Sequence, residues 1–448
     1  MSVVSTGLLR RLNSVVAKNT LSSFVSMVWL NILSVLSITI YVKLLGAGSW
    51  GIVAACSSLQ LLFNLIDLGF GQIVPRWIAR EANDLELLRK YISVFHKIYA
   101  GLALSGFFAL QAGAYALAYY WFNVPAEQSA QLELCIRLIA FQLLFQFANS
   151  LYVGIWQGLQ LQVQANLRAS LFGTLKHAAA MAALLWLAPS PVTYAAAFGI
   201  VALAELVTSA VATQRKGLMA RSSGSAVAVR PFISEAAVLS IGIMVGLAVS
   251  QMDRIVLSRS VPVDSFGVYV VVANLALAFL SLQAPLTRAY FPVLVQDIKQ
   301  NGHANPATIR RLILGSTVVC VLPALAMCIG ADWVLRLWLQ NEHFVQLGTA
   351  PLRLLLIAMC LNAIYSCLYQ VILAQGFAHI IVKINLACLV IGIVTVAILH
   401  DITSLWVGGA IWVTTTFTQL VLGLSWYWMV TQGKSVKDRL LGTKNGKA

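Results

Sequence analysis

In a chain of 448 residues, 60% hydrophobic and only 10% charged, a mean hydropathy of +0.84 excludes a soluble globular domain, which would expose large apolar patches at that composition. The formal net charge of +15 would suit a nucleic-acid binder. Here the basic residues gather in loops between alternate pairs of apolar stretches, so orientation in a membrane accounts for most of that charge, and no compact basic domain is left for nucleic acid.

A helix crossing a hydrocarbon core of roughly 30 Å needs about 20 mostly apolar residues, because lipid offers the backbone no hydrogen-bond partners. Twelve stretches qualify, near residues 21–43, 50–73, 92–118, 131–155, 168–188, 192–213, 233–258, 266–291, 311–330, 351–374, 379–398 and 403–428. Arg10, Arg11 and Lys18 precede the first, which is too long for a signal-peptide core and is followed by no small-residue cleavage site, so it is expected to be retained. With the N-terminus inside, the basic loops fall on the cytoplasmic side; only Lys43, Arg259, Arg336 and Arg353 lie opposite. An even number of spans places both termini in the cytoplasm. The basic tail from Lys434 to Lys447 is expected to touch anionic lipid heads. All seven cysteines fall inside predicted spans, which argues against a disulfide framework and against a zinc site; no metal site is expected.

The spans divide into two sixes. Shifting the chain on itself by 216 residues places Lys43 on Arg259, Trp50 on Phe266, Gly51 on Gly267 and Leu59 on Leu275, within the segments YVKLLGAGSWGIVAACSSL and VLSRSVPVDSFGVYVVVANL. Each segment joins the first span of a half to its second. The expected fold is an all-α polytopic membrane protein of 12 transmembrane helices in two six-helix lobes related by a pseudo-two-fold axis, a recurring plan for secondary transporters. The lobes run over residues 1–213 and 233–448, with a cytoplasmic linker over 214–232 that is rich in Ser, Gly and Ala.

Residues 44–80, LLGAGSWGIVAACSSLQLLFNLIDLGFGQIVPRWIAR, combine a Leu45-Gly46 turn, the Trp50-Gly51 pair, the Asp67 to Gly71 element, and Arg76 followed by Ile78 to Arg80. In that order these resemble the start of a bacterial polysaccharide flippase. Asp253 with Arg254, and the Phe266 to Tyr269 run, are also similar to that family. The resemblance implies the O-antigen flippase branch of the multidrug, oligosaccharidyl-lipid and polysaccharide exporter superfamily. Its members carry undecaprenyl-diphosphate-linked oligosaccharide between leaflets of the bacterial inner membrane, working alongside lipopolysaccharide assembly. A polysaccharide polymerase and a chain-length regulator become candidate partners.

Ionisable groups inside spans cost about 2.5–3.5 kcal/mol at a helix centre on insertion scales, so they face a partner or a wet cavity. Here these are Asp67, Lys97, Arg137, Lys176, Glu205, Glu235, Asp253, Arg254 and Arg288. Lys176 lies eight residues beyond Arg168, roughly 12 Å deeper at 1.5 Å per residue, where snorkelling is strained. It is either a cationic contact for a diphosphate or anionic sugar, or the ion partner of Glu205 at similar depth on the next span; both hold if ligand and carboxylate compete. Arg254, Arg288 and Arg76 are further candidate substrate contacts. The alternatives are a helix neighbour for Arg254 and orientation charges for the other two. Gln142, Gln146 and Asn149 form a polar row that either meets sugar hydroxyls or bonds between helices. Asp67, Glu205 and Asp253 are candidates for H+ or Na+ coupling, since a carboxylate in low dielectric can exchange a proton or hold a cation; the alternative for Asp67 is a structural partner. Glu133 and Arg137, spaced i,i+4, make a local pair.

Gly433-Lys434-Ser435 ends like a phosphate-binding loop, but Trp428 stands where a glycine is required and no strand precedes it. Neither H-E-x-x-H nor G-x-S-x-G occurs, so the chain is not expected to be an enzyme and no cofactor is assigned. Two rivals stand beside the flippase. A cation-coupled multidrug exporter of the same superfamily typically carries an acidic residue in its first span, and Leu21 to Val42 has none. An O-antigen polymerase would need a large periplasmic loop, whereas the longest outward loop expected here, near Ala331 to Ala350, has about twenty residues.

Overall fold

A computed structural model of the chain describes the backbone of residues 2–63, 67, 70–219, 230–301 and 304–442, with side-chain surroundings for all of these except 2–17, 61–63, 230–231, 233–241 and 431–442. Helices and the short turns between them make up the described residues, with one isolated bridge between Asn123 and Pro262 and no strand among them. Among them, nine helices are long and apolar enough to cross a membrane.

The first predicted span and most of the second share one helix, α1 (Ser2–Phe63). Gly46 breaks it with φ 76° and ψ 169°, a conformation only glycine enters freely, so the two spans are the arms on either side of that residue. After residues 64–69, of which only Asp67 is described, α2 (Phe70–Arg80) begins under a cap: the Asp67 carboxylate accepts the Gly71 N–H at 2.8 Å. Asp84 caps α3 (Leu85–Ala116), which continues as a π-helical turn over Leu117–Trp121. Then come α4 (Ala126–Gly158), α5 (Gln162–Trp186) and α6 (Pro191–Arg215), the last started by a Ser190 cap with Pro191 in its first turn. The linker residues 220–229 and Lys444 and Lys447 of the tail lie outside the described residues, as does the side chain of Glu235.

The second sequence half continues with α7 (Arg230–Ser260), α8 (Val263–Asn301), α9 (Pro306–Ser316), α10 (Leu322–Ile329), α11 (Ala331–Leu339), α12 (Glu342–Ala374), α13 (Ala378–Ile398) and α14 (Trp406–Gly442). Helix α8 runs through both Pro285 and Pro292. One sequence expectation is corrected here: the stretch 331–350, expected as an outward loop, is α11 followed by the start of α12, where Gln340 closes α11 in the left-handed conformation (φ 51°) and the Asn341 side chain caps α12. The predicted span at α5 is helical but less apolar than the nine, because it carries Arg168 and Lys176, and the predicted span at α7 is helical as well.

Two compact units contain these helices, one of Met1–Met244 with Ser258–Val271 and one of Val245–Leu257 with Val272–Ala448. In the first, α4 packs on α2, α3 and α6, and α5 packs on α1 and α6. Gly154 and Gly158 on α4 let α2 approach closely; a Cβ at Gly158 would stand 2.7 Å from the Pro75 carbonyl oxygen. The two aromatic-glycine pairs related by the 216-residue shift also meet inside this unit. The Trp50 indole N–H donates to the Gly267 carbonyl at 3.3 Å, and a Cβ on Gly267 would lie 2.9 Å from the Gly51 Cα. In the second unit α12 packs on α13 and α14 around a core that includes Cys367, Val371, Ile372, Cys388 and Trp426.

Phe232, near the start of α7, is anchored in the first unit by edge contacts to Trp77 (4.8 Å), Phe95 (5.0 Å) and Tyr91 (5.4 Å) and is 1% exposed. Such rings gain geometry-specific energy beyond burial. Phe232→Ala is expected to cost about 3–5 kcal/mol, measured as the shift in SDS-induced unfolding of the purified protein. A variant as stable as wild type would show that this ring cluster holds nothing in place.

Candidate functional site

The best-defined polar cluster lies in the first unit, where α4, α5 and α6 meet. Lys176 Nζ on α5 contacts Glu205 Oε2 on α6 at 2.6 Å, each side chain 13% exposed. The second carboxylate oxygen, Oε1, accepts the Asn149 amide N–H from α4 at 3.1 Å. Asn149 itself is buried, and its Oδ1 is a buried acceptor without a hydrogen-bond partner among the described residues. The carboxylate is thus held by one cation and one neutral donor. Should an anion draw Lys176 away, the amide remains on Glu205, and the carboxylate is not left wholly unpaired.

Beside this pair stands an aromatic column. Tyr41 of α1 stacks on Trp50 and on His177, and meets Tyr194 of α6 edge-on at 5.0 Å; its hydroxyl lies 2.9 Å from His177 Nδ1. Phe198 extends the column, 4.4 Å from Tyr194 and 5.5 Å from His177. His177 follows Lys176 directly, so a shift of the lysine backbone would be felt by the stack.

The polar row on α4 faces inward. Gln146 accepts from the Gln60 amide of α1 at 2.7 Å, Asn149 faces Glu205, and Gln142 is buried at 5% exposure. Asp67 is half-buried; besides capping α2, its Oδ1 accepts the Tyr99 hydroxyl at 3.4 Å. Arg76 is exposed on α2. Arg137 donates to Glu133 at 2.7 Å and also to the Gln111 carbonyl of α3 at 3.2 Å, which makes this expected local pair a tie between two helices.

In the second unit, Asp253 and Arg254 are both buried, at 1% and 6% exposure, although consecutive residues on a helix point about 100° apart. Arg254 donates to Asn274 Oδ1 at 2.8 Å. Arg288 is exposed on α8. Within this unit, then, the two candidate arginines occupy unlike settings, one buried and hydrogen-bonded, the other open.

A family model described as polysaccharide biosynthesis protein matches residues 16–298, more than half of the chain. The chain belongs to this polysaccharide biosynthesis protein family. No curated protein matches its sequence. Among solved structures, the polysaccharide biosynthesis protein is similar to a MOP superfamily transporter from Pyrococcus furiosus at 14% identity and a TM-score of 0.69, covering 94% of this chain and 96% of that one. It is also similar to an outward-facing multidrug resistance MATE family transporter of the MOP superfamily (13%, TM-score 0.65, covering 94% and 96%). A third relative is the lipid II flippase MurJ in an inward closed conformation (10%, TM-score 0.63, covering 92% and 87%). At such identities the likeness is one of fold: this family member has the architecture of MOP superfamily transporters.

Sequence reasoning alone did not find several partners that the structure supplies to the family's chain. Asn149 and Glu205, on separate spans, bond to each other, and Gln60 from α1 joins the polar row of α4. The Arg168 guanidinium, which in the sequence marks the depth of Lys176 along the chain, sits over the Trp156 ring at 5.2 Å and the Phe172 ring at 5.9 Å. The i,i+4 spacing of Arg168 and Phe172 was the available signal.

Proposed function

We infer that this protein is a flippase that moves undecaprenyl-diphosphate-linked oligosaccharide, an O-antigen or related polysaccharide repeat unit, across the bacterial inner membrane by alternating access. The match of residues 16–298 to the polysaccharide biosynthesis family carries this reading, on a chain with the fold of MOP superfamily transporters. A flippase among its structural relatives agrees with it, and both termini are proposed to lie in the cytoplasm. A diphosphate needs about two or three positive groups or bound cations to offset its desolvation. Lys176 is the contact that the geometry favours in the first unit: an incoming phosphate competes with Glu205 for it while Asn149 keeps hold of the carboxylate. Protonation of Glu205 releases the same lysine, which ties substrate binding to H+; Na+ held by Glu205 would act alike. Arg254 and Arg288 in the second unit, Arg76, Gln142 and Gln146 complete the proposed contacts, with Asp67 and Asp253 as further coupling candidates. A polysaccharide polymerase and a chain-length regulator are the proposed partners.

Deleting the gene tests this directly. Complete lipid-linked units should build up on the cytoplasmic leaflet of the inner membrane. Single units accumulating on the periplasmic leaflet would instead mark a polymerase, and unchanged lipid intermediates together with drug sensitivity would mark an exporter.

A further inference from the structure

Arg168 lies on α5 two turns before Lys176, and its surroundings are built. Trp156, 2% exposed, is locked by an indole N–H donated to Thr213 Oγ1 at 3.1 Å, and that hydroxyl is itself bonded to the Ser209 carbonyl at 2.9 Å. The fixed indole and the Phe172 ring carry the guanidinium between them, an arrangement that orients an arginine without using its N–H groups. Among the described residues Arg168 makes no hydrogen bond, and its buried Nε has no partner there. A buried donor left unmet is costly, more so on a cation, and the planar fork of donors matches phosphate oxygens two at a time. Glu205 lies near enough to interact electrostatically with Arg168 as well as pairing with Lys176. Among the described residues Glu205 pairs with Lys176 alone while acting on Arg168 through space, so one carboxylate faces two cations and the cluster keeps a net positive charge.

We propose that Arg168 is a phosphate contact, held ready by Trp156 and Phe172, that receives the phosphate of a lipid at the cytoplasmic end of α5 before Lys176 does. Taking that lipid to be the undecaprenyl diphosphate carrier rests on the function proposed above. The same chemistry would also hold the phosphate of an anionic bilayer lipid.

Both sources are tested with full-length protein in nanodiscs, comparing wild type with Arg168→Gln and Arg168→Lys. In phosphatidylcholine discs, undecaprenyl diphosphate is titrated as the probe. In discs of equimolar phosphatidylcholine and phosphatidylglycerol, retention of phosphatidylglycerol is read by native mass spectrometry. Arg168→Gln should bind undecaprenyl diphosphate roughly tenfold more weakly, and Arg168→Lys should lose less, since it keeps the charge without the fork. A loss confined to phosphatidylglycerol would keep the phosphate contact and assign it to a bilayer lipid. Unchanged binding in both arms, in variants that melt at the wild-type temperature, overturns the proposal. If the glutamine variant does not fold, the lysine variant decides, because it preserves the side-chain stem across Trp156. Failure of the gene-deletion test would remove the flippase function and leave this binding result untouched, so the two can fail separately.

Discussion

Lys176→Ala is expected to abolish lipid-linked oligosaccharide transport and to lower stability by about 3 kcal/mol, toward the lower end of what breaking a buried ion pair costs. The lower end applies because each partner keeps 13% exposure and Asn149 stays on the carboxylate. The loss of stability alone would say little about function, since it follows from stranding Glu205. The decisive comparison is the double variant Lys176→Met with Glu205→Gln, which removes both charges and retains an amide partner for Asn149. Replacing a buried pair by neutral groups of similar volume is often close to neutral, so the double variant should unfold within about 1 kcal/mol of wild type and still fail to transport. Unfolding in SDS and leaflet-resolved assay of the lipid intermediate measure the two quantities. Transport restored along with stability would show Lys176 to be structural and remove it from the proposed site.

Gly51→Ala is expected to be at least as damaging, for a steric reason. A Cβ at Gly51 would overlap the Val263 carbonyl oxygen and stand 2.6 Å from the carbonyl carbon and 2.9 Å from the Asp264 nitrogen. All of these are backbone atoms, pinned by the Val263 N–H bond to the Asn123 carbonyl at 2.9 Å, so no side chain can swing aside. Overpacking of mobile side chains costs about 1–3 kcal/mol; here about 3 kcal/mol or more is expected, with a sharp fall in folded, monodisperse protein on size-exclusion chromatography. Gly48→Ala, three residues earlier, is the control: its Cβ would meet only the Gln128 amide at 3.7 Å, and it should purify as wild type. Equal behaviour of the two variants would mean that the approach of the Gly51 and Val263 backbones is not needed for folding.

Hydropathy and charge counting reached the class of the protein because they depend on each residue's own preference for lipid or water. The helices fall where the apolar stretches are, and the motifs between Leu45 and Arg80 point to the family that the match over residues 16–298 shows. Depth along a helix is likewise a local property, a rise of about 1.5 Å per residue, and it placed Lys176 and Glu205 at one level with the ion pair as one of two alternatives. The segment 331–350 went the other way: interrupted by charges such as Asp332, Arg336 and Glu342, it looks like a loop by hydropathy, yet it is helical, and Arg336 pairs with both acids at 3.0 and 2.7 Å. Amphipathic helices outside the hydrocarbon do not raise mean hydropathy, so that measure passes over them.

Chain composition and order by themselves determined that this is a helical membrane protein and that two stretches 216 residues apart repeat one pattern. Only the tertiary structure decided that Gly51 and Gly267 from those stretches touch, that Asn149 shares Glu205 with Lys176, and that Arg168 rests on Trp156 with its Nε unmet. Transfer between water and lipid is a sum over single residues and can be read along a chain. Contact is a property of pairs distant in sequence, created only when helix rotation and packing choose which faces meet.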